Sequence, residues 1–196
     1  MQSAKTTREK LIATGLKAML TQGYDGTGIG PILALSGIPK GSFYHYFASK
    51  DDFTAAVIDS YAAHYGMVFE RLQEDATLTP LGRLHAYFEE LGREIEEEFP
   101  HGGCLYGMLA QTIAMRSPVL REKLSAVYRA WEERLTTLLA QAQAGGEIAP
   151  TADLREVVCL LMDAYEGAIV RMKAEGDAAA FERFRRRIPK LLDMAA

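Results

Sequence analysis

Thr27-Gly-Ile-Gly-Pro-Ile-Leu-Ala-Leu-Ser-Gly37-Ile-Pro-Lys-Gly-Ser-Phe-Tyr-His-Tyr-Phe47 contains two short helical patterns separated by a turn signal. Thr27 is placed to cap the first, whose inward residues are Ile29, Ile32 and Leu33. Gly37 supplies a tight turn. Pro39 pre-sets the first turn of the second segment. Phe43 and Phe47 lie four apart, share one helical face and can anchor that segment to a core. Lys40, Ser42, Tyr44 and His45 are left for the other face. Lys40 brings charge, and the other three bring groups suited to phosphates or base edges. Gly41 allows a close backbone approach. Two short helices joined by a glycine turn form the helix-turn-helix layout, whose second helix enters a DNA major groove. From spacing alone, an ordinary solvated helical hairpin fits equally well.

The flanking sequence is helical in period almost throughout. Leu11, Ile12, Leu16, Met19 and Leu20 form one stripe, and Gly23 stands where a helix would end. Phe53, Val57, Ile58, Tyr61, Tyr65, Val68, Phe69 and Leu72 mark a long amphipathic helix, opened by a capping box from Ser49 to Asp52. Thr79-Pro80 and Ser117-Pro118 read as an N-cap followed by proline at the first helical position. Gly145-Gly146 breaks the chain, and Thr151 is expected to cap a helix through Leu154, Val158, Leu161, Tyr165, Ile169 and Met172. A last helix follows Gly176, with Pro189 expected to kink it or end it early. No useful stretch alternates at period two. The expected class is all-α, with about nine helices.

The chain has 196 residues, 48% of them apolar, enough for a sizeable core. Its net charge of −4 argues at first against a nucleic-acid binder. The charge is unevenly placed. Residues 1–50 hold six Lys and Arg against Glu9 and Asp25, a balance of +4, and the remainder carries −8. A basic head on an acidic body suggests two parts, residues 1–50 and 51–196. Two cysteines make no secreted disulfide framework. Residues 1–5 lead straight into a charged amphipathic stretch, so no signal peptide is expected, and no apolar run reaches bilayer-spanning length. The chain is expected to be soluble and cytoplasmic, with no membrane partner.

Pro39 to Phe47, followed by Ser49-Lys-Asp-Asp-Phe53, closely resembles the recognition-helix signature of TetR-family transcriptional regulators. Gly23-Tyr24, Thr27, Ile32 and Gly37 match the same pattern, which covers roughly residues 8–55. The resemblance implies a three-helix DNA-binding domain, a linking fourth helix, and an all-α body for ligand binding and dimerisation. It implies DNA contacts from Thr27, from Lys40, Gly41, Ser42, Tyr44 and His45 after Pro39, and from Lys50 to a phosphate. It also implies a C2 homodimer built on the last two helices, reading a palindromic operator. The stripe of Leu154, Val158, Leu161 and Ile169, with Phe184, suits such an interface.

In the body, two glycines place Cys104 near a helix N-terminus, where partial positive charge favours a thiolate. Gly103-Cys104-Leu105, with Glu166 to Lys173 downstream, resembles a TetR branch of regulators that sense electrophiles, aldehydes or acrylate-type compounds. There the matching cysteine acts as sensor with a lysine, here Lys173, near it. The rival reading is a reversible small-molecule sensor in which Cys104 only lines a pocket. Cys159, mid-helix among apolar residues, reads as core. Tyr61, Tyr65, Phe69, Phe88, Met108, Tyr128, Trp131, Met162 and Tyr165 are candidates to line an apolar pocket, with Glu166 as its polar group. The acidic run Glu94, Glu96, Glu97, Glu98 and the basic run Arg183, Arg185, Arg186, Arg187 read as solvated faces. No histidine pair has metal-site spacing, and no metal or cofactor is expected. The readings from other classes are a small helical enzyme, with Cys104 as nucleophile and His101 as base, and a purely structural module.

Overall fold

The computed structural model describes residues 6–97 and 103–193, so Lys5, Glu98 and His101 fall outside it. Among the described residues there are nine helices and no strand. They are α1 (Thr7–Gly26), α2 (Ile29–Ser36), α3 (Lys40–Tyr46), α4 (Lys50–Gln73), α5 (Pro80–Glu97), α6 (Leu105–Thr112), α7 (Pro118–Ala144), α8 (Leu154–Glu175) and α9 (Ala179–Asp193). The all-α reading and the helix number therefore hold.

The punctuation explains the boundaries. Thr6 and Glu9 form a capping box at the start of α1. Ser49 Oγ accepts from the Asp52 amide at 3.0 Å, and the Asp52 carboxylate accepts from the Ala48 amide at 2.9 Å. Gly37 takes φ 67°, the left-handed conformation that lets the chain turn from α2 into α3. Three local expectations change. Thr27 does not cap α2, whose N-cap is Gly28. Its hydroxyl instead donates to Gly23 O at 2.7 Å, a carbonyl released by the kink at Gly23. Asp153, not Thr151, caps α8 by accepting from the amides of Arg155 and Glu156. Pro189 lies inside α9 without ending it. It is exposed, so the hydrogen bond it removes lies where water can replace it.

The chain divides into two compact units. One contains the described residues up to 65 and residues 104–126, so α1–α3 share it with α6 and with parts of α4 and α7. Its centre is an aromatic trio: Phe43, Phe47 and Phe53 lie 5.0–5.4 Å apart by ring centroid, and all are buried. The second unit contains residues 66–103 and 127–196. There α8 and α9 pair along their length, with α5 against α9, around Phe88, Tyr165, Phe181 and Phe184. The basic and acidic runs meet here and are not merely solvated. Arg185 on α9 pairs with Glu89 at 2.8 Å and Glu96 at 3.3 Å on α5.

Candidate nucleic-acid interface and sensor region

The second short helix is held by its own hydrophobic half. Phe43 is fully buried and Phe47 nearly so, which leaves Lys40, Gly41, Tyr44 and His45 exposed along the opposite side of α3. Ser42 is half-buried and Pro39 is exposed at the N-cap. Tyr44 is 53% exposed, a large aromatic surface to leave in water, and it stands edge-on to Phe43. A second aromatic, Tyr46, is 38% exposed. Arg8, which the motif reading did not single out, sets its guanidinium 5.4 Å from the centre of the Phe47 ring. Its distance in sequence hid it: nothing but the packing of α1 brings it to α3.

Two expected contact residues are committed elsewhere. Thr27 is 1% exposed, with its hydroxyl turned inward, so its side chain positions α1 against α2 and is not offered outward. Lys50 Nζ donates to Tyr24 O at 2.6 Å and lies 3.8 Å from the Tyr24 ring centre. Burial pushes the Lys50 ammonium pKa down. Tyr24 in turn donates to Asp51 at 2.5 Å, and Ser117 donates to the other Asp51 oxygen at 2.6 Å. These two hydroxyls, Ser117 first, hold the Asp51 carboxyl below its ordinary pKa. Arg116 pairs with Asp25 at 2.7 Å. Burial and the bond to Asp51 push the Tyr24 phenol upward. The network joins the end of α1 and the start of α4 to the α6–α7 connection, a link no local pattern announces.

Cys104 is the N-cap of α6 and is 5% exposed, and its side chain makes no capping bond. The next amide, Leu105, instead reaches the Tyr61 hydroxyl at 3.5 Å. In the second unit Gly103 has φ 149°, and a Cβ built there would lie 2.8 Å from Lys173 Cε and Nζ. Lys173 therefore lies against the residue that precedes Cys104. Cys159 is half-buried rather than core. Its thiol is pushed up by burial and by Glu132, whose Oε1 lies 4.0 Å from Sγ, which makes it a poor nucleophile.

The pocket candidates divide between the units. Tyr61, Tyr65 and Met108 belong to the first, where Tyr61 stacks edge-on with Tyr65 and Tyr106. Phe69, Phe88, Tyr128, Trp131, Met162, Tyr165 and Glu166 belong to the second. Phe88 and Tyr165 are core there, Trp131 stands edge-on to Tyr165 at 5.3 Å, and Tyr128 donates to Glu166 at 3.0 Å. A polar cleft that the sequence did not suggest is lined by Arg129, Glu132, Glu133, Thr136, Thr137 and Arg155. The proposed dimer stripe needs correction. Val158, Leu161, Ile169 and Phe184 are at most 5% exposed inside the protomer, and Leu154 is half-buried, because one apolar face of α8 packs on α9. The outer face of α8 shows Leu160, Asp163, Gly167, Val170 and Ala174 instead, with Val170 48% exposed. Among the described residues, no cluster could hold a metal ion and no helix is long and apolar enough to cross a membrane.

A short helix clamped by buried phenylalanines and showing a cation, a phenol and an imidazole outward defines a helix-turn-helix protein of the DNA-reading class. Residues 11–57 match the family "Bacterial regulatory proteins, tetR family", and residues 80–188 match "Tetracyclin repressor-like, C-terminal domain". The chain belongs to the TetR family of transcriptional regulators. It is 33% identical to the transcriptional regulator AcuR of Cereibacter sphaeroides over 172 residues, covering 88% of this chain and 78% of that protein. It is 31% identical to the HTH-type transcriptional repressor NemR of Escherichia coli K12 over 140 residues, covering 71% of this chain and 68% of that protein. A crystal structure of the regulatory protein TetR from Rhodobacter sphaeroides superposes with a TM-score of 0.88 at 31% identity, covering 95% of this chain and 99% of that one. The family is non-enzymatic, which removes the reading of Cys104 as a nucleophile served by His101.

Proposed function

We propose that this chain is a homodimeric repressor that reads a palindromic operator with α3 and is released by a small organic or electrophilic inducer. The carrying observation is the division of α3 into an anchored half, Phe43 and Phe47, and an outward half, Lys40, Tyr44 and His45. Pro39, Gly41 and Ser42 complete the reading surface, and Lys50 reaches a phosphate only by leaving Tyr24. The outer face of α8 around Val170 carries the two-fold contact, so that two copies of α3 meet half-sites about one helical turn apart. Relatives named regulators and repressors support the direction of control. Inducer binding favours a conformer whose α3 helices no longer match successive major grooves. By linkage, inducer and operator weaken each other's binding. Binding of DNA from upstream of the chain's own gene should be tight and fall steeply with salt; salt-insensitive or absent binding sinks the reading.

Release through Cys104 is supported by the packing of Lys173 against Gly103, the residue that precedes the thiol in the chain. With N-ethylmaleimide as probe, the thiolate adds to the C=C bond, a C–S bond forms and the adjacent carbon takes a proton. The wild type and Cys159→Ser should then lose operator affinity, and Cys104→Ser should keep it. If Cys104→Ser responds like wild type, the thiol is only part of the packing and release is reversible and non-covalent.

A further inference from the structure

Trp131 is the chain's single tryptophan and is 8% exposed in the second unit. Among the described residues its indole Nε1–H has no hydrogen-bond partner. An indole is a donor only, so a buried one without an acceptor has lost its water and gained nothing. Such groups are rare in folded proteins, and each asks for an explanation. The surroundings limit its chemistry. Tyr165 lies edge-on at 5.3 Å and is 1% exposed. Leu135, one turn further along α7, is fully buried. Tyr128, one turn earlier, spends its hydroxyl proton on Glu166 of α8, the residue after Tyr165.

We propose that Trp131 Nε1–H is the hydrogen-bond donor of a binding site at the α7–α8 seam for a small neutral carbonyl compound, a ketone or aldehyde. The indole calls for an acceptor oxygen, and the aromatic and aliphatic neighbours call for an apolar body. The Glu166 carboxylate on the same seam penalises a second anion, so the site selects a neutral carbonyl against the corresponding carboxylate. The assignment rests on reading this unit as the sensing part of the regulator. It adds the class of inducer and the atom that recognises it.

One tryptophan gives one indole cross-peak in a nitrogen-15 correlation spectrum of the full chain. Cyclohexanone and butan-2-one serve as neutral probes, cyclohexanecarboxylate and propanoate as anions, and methylcyclohexane as an acceptor-free control. A ketone should move the indole proton downfield and saturably, and the anions and the hydrocarbon should not. Trp131→Phe keeps an aromatic ring, smaller than indole, but loses the donor, and should weaken calorimetric binding of that ketone by about three- to tenfold. The proposal is overturned if no ketone moves the peak, if the carboxylates move it equally, or if Trp131→Phe binds the ketone as tightly as wild type. A peak that no ketone moves means that water or packing satisfies the donor. If the variant fails to fold, the wild-type titration decides alone. Operator binding measured alongside separates the two readings. Ketones that move the indole without weakening operator binding leave the site standing and remove its role in induction. Ketones that release operator without moving the indole keep the regulator and remove this site.

Discussion

Phe43 has no exposed surface, while Tyr44, next along the same helix, is 53% exposed. That contrast carries the reading of α3. Phe43→Ala would open a cavity beside Phe47 and Phe53 and should cost about 3–5 kcal/mol, measured by denaturant unfolding. A loss under 1 kcal/mol would mean that α3 is not anchored as described. Both roles were legible from residue order, because residues four apart fall on one face and their neighbours on the other. Thr27 and Lys50 were legible as important, but not the intramolecular bonds that hold them. Thr27 turns inward to a carbonyl that only the Gly23 kink exposes, and Lys50 folds onto a ring 26 residues earlier in the chain. Gly23 is a near neighbour whose freed carbonyl shows only once the kink is seen, and Tyr24 lies outside any local window around Lys50. Arg8 and Trp131 show the same limit, since one gains its meaning from a packed ring and the other from a missing acceptor.

Among the elements, α1, α4 and the start of α7 are tied by Tyr24, Asp51 and Ser117, with Arg116 on Asp25 beside them. The two hydroxyls hold the folded Asp51 carboxyl below its ordinary value of 3.8. As pH falls, the unfolded chain takes up this proton first, so the contribution is present at neutral pH and disappears in acid below about 4. Asp51→Asn should therefore lower stability by about 1 kcal/mol at pH 7. The difference from wild type should shrink progressively as pH falls below about 4 in urea titrations; a pH-independent difference would assign the loss to packing. Helix boundaries were largely readable because caps and glycines are local signals. The exceptions, Asp153 for Thr151 and the uninterrupted α9, arise where two caps compete and where proline meets solvent. The dimer stripe was misread for a general reason. Periodicity identifies the apolar face of a helix but not which neighbour covers it, and in α8 that neighbour is the protomer's own α9.

For the whole molecule, the net charge of −4 is an average over a basic head and an acidic body. The exposed cations of α3 and the N-terminal part of α1 can meet phosphates, while the acidic remainder repels them and confines the contact. Two heads are needed to read a palindrome. Val170→Asp, which places charge on the outer face of α8, should raise the dimer dissociation constant at least about tenfold in sedimentation and weaken operator binding in step. A variant that stays dimeric would move the interface off α8. The central claim is that α3 is the reading surface, and it is tested most directly by titrating operator DNA with Lys40→Ala and Tyr44→Ala at fixed salt while following their thermal melting. The account predicts that both variants melt like the wild type and bind operator no better than unrelated DNA. Full operator affinity in both variants would contradict it.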